Sequence, residues 1–425
     1  MILVFLISLM AFLVLSIPIG FSLGLTSITM LIYLGRTDFM VVPQNFLKGT
    51  DNFALMAIPF FILAGEIMNE GGLSLGIVRF VKSILGHIKG GLGYVAIVAS
   101  MIFAGISGAA VADTSAIGSV LLPIMKKEGY DVNKSTGIVC AAGTIGPIIP
   151  PSIPMVVFGV VGNVSITRMF LGGIIPGIIT GLLLFISWFV VTRKDNLQTS
   201  KRASVKEVLV SFKEAIPSLM LPVIILGGIL SGIFTPTEAG VVAAVYSLVI
   251  SMAVYRRISF RKMREIFIKA ARSSSVVMLV VAAATAAAYV ITIAQIPQLL
   301  GNLIASATSN KYVILFVINL LILAVGCVMD VSPAIMILGP ILLPIITKMG
   351  IDPVYFGVIM VYGLCIGLLT PPVGNVLYVG CGLSKIDFVV LVKHVMPHVI
   401  IYIIVLFVIT YVPQLIMWIP NMALG

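Results

Sequence analysis

Charge is what this chain has least of: Asp, Glu, Lys and Arg together make up 10% of its 425 residues, against 60% hydrophobic. With a mean hydropathy of +1.21, there is too little polar surface to cover a water-soluble globule, and a soluble fold is excluded. The longest polar stretch, Arg193 to Glu214, is too short to be an aqueous domain. Cysteine is scarce as well. Cys140, Cys327, Cys365 and Cys381 lie in apolar segments without a CxxC pair, so they read as small core residues rather than disulfides or ligands. There is no GxxxxGK[ST] loop, no HExxH, no nucleophile paired with a base and no metal-spaced cluster, and His394 and His398 have no acidic ligand nearby. ATP hydrolysis and enzymatic chemistry are thereby set aside. The Met-Ile-Leu-Val start has no basic n-region and no small-residue cleavage site follows, so the first apolar segment reads as a retained helix.

What the chain does have is apolar length. A spanning helix needs about 20 mostly apolar residues, and such stretches, divided by short charged segments, fill nearly the whole sequence. Residues 1–35 read as two helices around Pro18, and further spans are expected at 53–69, 166–192, 215–233, 237–255, 273–293 and 386–417. Residues 70–91 and 256–272 mix basic and apolar residues at helical spacing, as interfacial helices do. The net charge of +11 is unevenly spread: segments 79–91, 126–134, 193–213, 256–272 and 385–393 hold 21 of the 26 Lys and Arg. The positive-inside rule places these in the cytoplasm, and puts Arg36, Lys48, Arg168, Lys311, Lys348 and both termini on the periplasmic side of an inner membrane.

Two regions, about 92–160 and 312–380, do not read as simple helices, and an internal repeat joins them. At a constant offset of 221, Leu121-Leu122-Pro123-Ile124 matches Leu342-Leu343-Pro344-Ile345, Gly146 matches Gly367, and Pro150-Pro151 matches Pro371-Pro372. Phe46-Leu47-Lys48 meets Phe267-Ile268-Lys269 in the same register, so the repeat divides the chain into 1–213 and 214–425. Lys126 and Lys127 fall inside while Lys348 falls outside, which makes the halves inverted. Inverted repeats with paired broken helices point to a secondary transporter whose site lies near the midplane.

Each half carries two devices. One is a re-entrant hairpin, at about 92–125 with its tip at Phe103–Ala110, and at about 312–347 with its tip at Gly326–Pro333. The other is a broken helix, at about 136–160 through Gly143–Ser152, and at about 356–380 through Gly367–Asn375. Proline removes donors and stops the helix, leaving carbonyls that can coordinate a cation, while the half-helix beyond offers its N-terminus to an anion. Asp330 at the second tip reads as a substrate or coupling-ion contact, and Asp113 either as that or as a hydrogen-bond partner of Thr114 or Ser115 within the first hairpin. Thr235-Pro236-Thr237-Glu238 reads as a helix cap. A channel would need a continuous polar path that these isolated breaks do not make.

At these residues the chain resembles the large membrane subunit of tripartite ATP-independent periplasmic (TRAP) transporters, over essentially its full length. The likeness is carried by Ala57-Ile58-Pro59-Phe60-Phe61 with Gly65-Glu66, Ser107-Gly108-Ala109 with Ala112-Asp113, Ile149-Pro150-Pro151-Ser152, Phe234–Ala239 and Thr370-Pro371-Pro372-Val373-Gly374. The resemblance implies an all-α polytopic fold with a scaffold and an elevator-type transport domain, driven by sodium. It implies no cofactor beyond the coupling ions, and two partners: a small four-helix membrane subunit and a periplasmic substrate-binding protein. The implied substrate is an organic acid anion of the sialic acid or C4-dicarboxylate class, with the chain looking nearest the sialic acid branch. Carried over by position, one sodium site takes Ala104, Ser107, Gly146, Ile149 and Pro151, and the other Gly326, Gly367, Thr370 and Val373. Ser152, Asp330 and Asn375 would face the substrate, in a pocket made asymmetric by Pro154 opposite Asn375. A serine typical of the family near the first tip is Ala109 here. A stand-alone divalent-anion sodium symporter of similar architecture is the competing reading; it would need no periplasmic partner.

Overall fold

The structure, a computed structural model, describes residues 1–195, 197, 201–299 and 310–424, so part of the 193–213 segment, residues 196 and 198–200, lies outside the described residues. Every regular element among the described residues is helical. The first group runs α1 (Ile2–Val14), α2 (Ile19–Tyr33), α3 (Val41–Thr50), α4 (Ala57–Gly71) and α5 (Leu73–Leu85). Pro18 separates α1 from α2, and Gly72, at φ +80°, ends α4 in the left-handed conformation that glycine adopts at no steric cost. In α5 the residues Leu73, Ile77, Val78 and Val81 are buried at helical spacing against α6 (Gly91–Ser107) and α11 (Val205–Leu230).

Two elements differ from the sequence expectation. Residues 256–272 are not a separate surface helix: from Phe260 they run unbroken to Ile293 as α13, about 50 Å long at 1.5 Å per residue. No Pro or Gly interrupts this stretch, and Ile266, Ala270 and Ser274 bury one face where the helix packs on α2, α3 and α4. Lys262 and Lys269 reach Glu70 and Glu66 of α4 at 2.8 and 2.7 Å, tying its basic end to the neighbouring helix. The segment before residue 214 is helical from Val205, because Ser204 and Glu207 form a capping box that starts α11 early. Thr235 and Glu238 do the same for α12 (Pro236–Val249).

The second group holds the repeat. The first half contributes α6, α7 (Ala110–Lys127), α8 (Val132–Gly143), α9 (Ile153–Val161) and α10 (Ile166–Thr192). The second contributes α14 (Lys311–Gly326), α15 (Val331–Lys348), α16 (Pro353–Gly367), α17 (Asn375–Ser384) and α18 (Phe388–Tyr411), followed by α19 (Gln414–Leu424). Both ends of α7 and α15 are displaced by 221 residues, and the other four pairs follow within a few residues. The halves interlock reciprocally: α17 packs on α7 and α8, and α9 packs on α15 and α16.

Between apolar helices in a bilayer the hydrophobic effect gives little preference for association, so close backbone approach and buried polar contacts do the holding. Small residues supply the approach. The Trp188 ring occupies the space a methyl group on Gly93 would need, and its indole nitrogen donates to the Gly90 carbonyl at 2.8 Å. Tyr362 and Thr180 hydroxyls meet at 2.7 Å between α16 and α10, and Tyr402 of α18 donates to the Ala141 carbonyl at 2.6 Å.

Ion pairs gather several of the basic segments. Lys82 meets Glu128 at 2.7 Å, Lys134 meets Asp195 at 2.7 Å, and Lys89 donates to the Arg193 carbonyl at 3.2 Å. In the other half, the end of α15 packs beside α9: a methyl on Gly162 would stand 3.3 Å from Leu343. The inverted arrangement expected from the charge asymmetry predicts that Lys127 and Lys348 lie on opposite membrane faces. In right-side-out vesicles a Lys348→Cys variant is expected to react with an impermeant maleimide and Lys127→Cys only after permeabilisation; equal labelling of both in intact vesicles would refute the inverted arrangement.

Candidate functional site

The first tip turns at Gly108, φ +61°, between two helices that would otherwise continue. A methyl group on Gly108 would stand 2.5 Å from the Pro151 carbonyl oxygen and 3.1 Å from the Ser152 Cα, so the tip lies main chain to main chain against the first break. A methyl on Gly105 would lie 3.1 Å from Pro222 of α11 and 3.7 Å from the Pro150 carbonyl oxygen. Gly65 of α4 approaches the Ser107 side chain, with a methyl there 3.5 Å from its Cβ. One tip thus touches the break, α4 and α11.

The break itself is a run of turns from Thr144 to Ser152 that ends where Ser152 caps α9. The Ser152 hydroxyl donates to the Pro147 carbonyl at 2.5 Å and accepts from Met155 N at 3.3 Å, in a fully buried position. Among the described residues, no hydrogen bond reaches the main-chain oxygens of Gly146, Ile149 or Pro151. Pro–Pro peptide bonds are cis in both halves, at Pro150–Pro151 and Pro371–Pro372.

The second tip and break meet even more closely. A methyl on Gly326 would lie 3.1 Å from the Leu364 carbonyl oxygen, and one on Gly367 would collide with the Gly326 main chain. Val373 N donates to the Cys327 carbonyl at 3.2 Å, a direct bond from break to tip. The Thr370 hydroxyl donates back to Ile366 O at 2.8 Å, while the main-chain oxygens of Gly326, Thr370 and Val373 accept no hydrogen bond among the described residues. Gly367 O already accepts from Thr370 N at 3.0 Å, which leaves it one lone pair.

The halves differ in exposure. Around the first break Gly146, Pro150, Pro151 and Ser152 are buried and Ile149 is half-buried. Around the second, Thr370, Pro371, Val373 and Asn375 are half-buried and Pro372 is exposed. Asp330, expected in apolar surroundings, is exposed at the tip and caps α15 by accepting from Val331 N at 2.7 Å. No hydrogen bond joins Ser152, Asp330 and Asn375 to one another among the described residues.

Asp113 is hydrogen-bonded within the first hairpin, to Ser107 rather than to Thr114 or Ser115. Its carboxylate is fully buried, one oxygen accepts from the Ser107 hydroxyl, and the other has no hydrogen-bond partner. That second oxygen points at Gly146, where a methyl group would collide with it. The neighbouring Thr114 hydroxyl is buried without a partner too. Spacing could not place Asp113 beside the break, because the hairpin and the break meet only in the folded chain. Among the residues set aside, His398 lies buried between α10 and α18 with Nδ1 2.8 Å from the Ser187 hydroxyl.

Comparison with known proteins agrees with this architecture. The family model "Tripartite ATP-independent periplasmic transporter, DctM component" matches residues 6–415. The 2,3-diketo-L-gulonate TRAP transporter large permease protein of Escherichia coli is 43% identical, covering 98% of each chain. The sialic acid large permease protein of Vibrio cholerae is 38% identical, covering 96% of each, so identity does not set this chain nearer the sialic acid protein. A permease protein of Oleidesulfovibrio alaskensis, named for isethionate and for DctMQ, is 41% identical, with 95% of this chain covering 64% of that longer one. Among solved structures the YdaH transporter of Alcanivorax borkumensis superposes with a TM-score of 0.66 at 17% identity, covering 90% of this chain and 88% of that one, a likeness of fold alone. The chain belongs to the DctM component family of tripartite ATP-independent periplasmic transporters, multi-pass membrane permeases rather than enzymes.

Proposed function

We propose that this chain uses the sodium gradient to take up an organic acid anion delivered by a periplasmic substrate-binding protein, with a small membrane subunit at its side. The observation that carries the reading is the pair of tips lying main chain to main chain against two helix breaks, with carbonyl oxygens left over at each. Neutral oxygens from several short turns are a donor set that a hard monovalent cation accepts and a packing helix has no use for. Ala104, Ser107, Gly146, Ile149 and Pro151 would hold one sodium, and Gly326, Gly367, Thr370 and Val373 the other. Bound sodium offsets the dipole penalty of the converging carbonyls and draws tip and break together. The N-terminal ends of α9 and α17, at Ser152 and Asn375, then present main-chain dipole to a carboxylate. The half-exposed second break and Asp330 favour substrate entry beside that tip.

In the elevator movement proposed here the interlocked hairpins and breaks travel as one body against α4, α11 and α13. Relatives named for a sugar acid, a sialic acid and a sulfonate support an anionic substrate, with sialic acid and C4-dicarboxylates both remaining within the class. The longer DctMQ-named relative supports a second membrane subunit.

The test is uptake in proteoliposomes containing the chain, its small subunit and the binding protein. Asp330→Asn and Thr370→Ala are each expected to lower sodium-driven uptake about tenfold, with membrane abundance unchanged. Wild-type rates from both variants would remove the site assignment. Uptake by the chain reconstituted alone would favour the stand-alone symporter, and failure to accumulate substrate above equilibrium would favour a channel.

A further inference from the structure

We propose that an apolar groove between α6, α10 and α11 holds one acyl chain of a resident anionic phospholipid whose phosphate rests on Lys89 and Arg193. The groove has a volume of about 430 Å³. Val98 and Ile102 of α6, Ile178 and Leu182 of α10, Leu226 of α11 and Ile149 of the first break line it. No charged side chain enters it, and Ile178 and Leu182 are exposed along its length. Such a surface takes hydrocarbon in preference to water.

The head group is argued from what lies at the cytoplasmic end of the same two helices. Lys89 and Arg193 are bonded to each other through the Arg193 carbonyl, and both side chains are exposed. The nearest acid on that segment, Asp195, is taken by Lys134 at 2.7 Å, so the two cations keep their charge for an anion. Val98 lies nine residues beyond Lys89, and Ile178 fifteen before Arg193. At 1.5 Å per residue these two positions lie about 13 and 22 Å from the basic pair, and since one leaflet of a 30 Å core is about 15 Å deep, the groove receives the distal, methyl end of the chain. A zwitterionic lipid would fill the groove but leave the cations unmatched.

The location gives the lipid a consequence. Two walls of the groove belong to the interlocked repeat and the third, Leu226, to α11. A chain seated there fills the seam with a contact that can slide, and covers Ile149 and Pro150 from behind. This inference does not depend on sodium coupling or on the substrate.

The experiment uses the full chain with its small subunit in nanodiscs of phosphatidylethanolamine doped with phosphatidylglycerol bearing a diazirine near the methyl end of one chain. After irradiation, mapped cross-links are expected on Val98–Ile102 and Ile178–Phe185, above labelling elsewhere on the apolar belt. Lys89→Gln with Arg193→Gln is expected to lower that labelling on the order of tenfold. Leu182→Trp, which fills the groove and leaves the cations in place, is expected to abolish it. Both variants are checked for retention of the small subunit, so a folding defect is recognised. Uniform labelling of the belt, equal labelling by phosphatidylcholine carrying the same group, indifference to the charge variants, or protection of the groove by the small subunit would each overturn the proposal.

Discussion

Replacing Gly367 with alanine is expected to lower sodium-driven uptake on the order of a hundredfold, the scale at which a displacement of about 1 Å near a reacting or binding centre acts. A methyl group there would lie on the Gly326 main chain, so the second tip and its break must separate. Main chain cannot move aside as the end of a flexible side chain can. Three of the proposed sodium ligands, Gly326, Thr370 and Val373, sit on the two surfaces forced apart. Gly227→Ala and Gly382→Ala are the controls, since nothing lies within 4 Å of the added group at either position. Uptake by all three variants, normalised to membrane abundance, makes the comparison, and a Gly367→Ala protein as active as the controls would show that this contact is dispensable.

For Asp113→Asn, the sodium concentration giving half-maximal uptake is expected to rise tenfold or more. The amide keeps the carboxylate's shape and can accept from Ser107, so the substitution isolates charge. Among the described residues no Lys, Arg or His pairs with Asp113. An ionised carboxylate buried without compensation costs several kcal/mol, and it must be neutralised by a proton or by a cation. Its free oxygen faces Gly146, whose own carbonyl is a proposed ligand, and this favours the cation. Asp113→Ala should show the same sodium shift and also lose about 1–3 kcal/mol of stability by leaving the Ser107 hydroxyl unmatched. An unaltered sodium dependence in Asp113→Asn would mean that the group is buried neutral and braces the hairpin only.

Much of the local architecture could be read directly. The hairpin arms, the breaks and the repeat register depend on short-range rules: Pro150-Pro151 and Pro371-Pro372 cannot continue a helix, Gly108 tolerates the left-handed turn, and apolar runs report span lengths. The continuity of α13 was not legible, because basic residues mixed with apolar ones describe a surface helix as well as the cytoplasmic end of a long one. The burial of Ile266, Ala270 and Ser274 and the ion pairs to Glu66 and Glu70 on a neighbouring helix decide between them. The apolar neighbours of Asp330 place it at a hairpin tip, and only the fold shows that its carboxylate accepts from Val331 N at an exposed position.

By itself the sequence determined that this is a membrane protein of two related halves, each with a hairpin and an interrupted helix. Composition, proline placement and charge asymmetry act within a few residues of where they are written. Tertiary structure decided which tip meets which break, that Asp113 stands against Gly146, and that the second break is more open than the first. Those are contacts between segments far apart along the chain, set by how closely glycine-faced helices approach, and no local pattern encodes them.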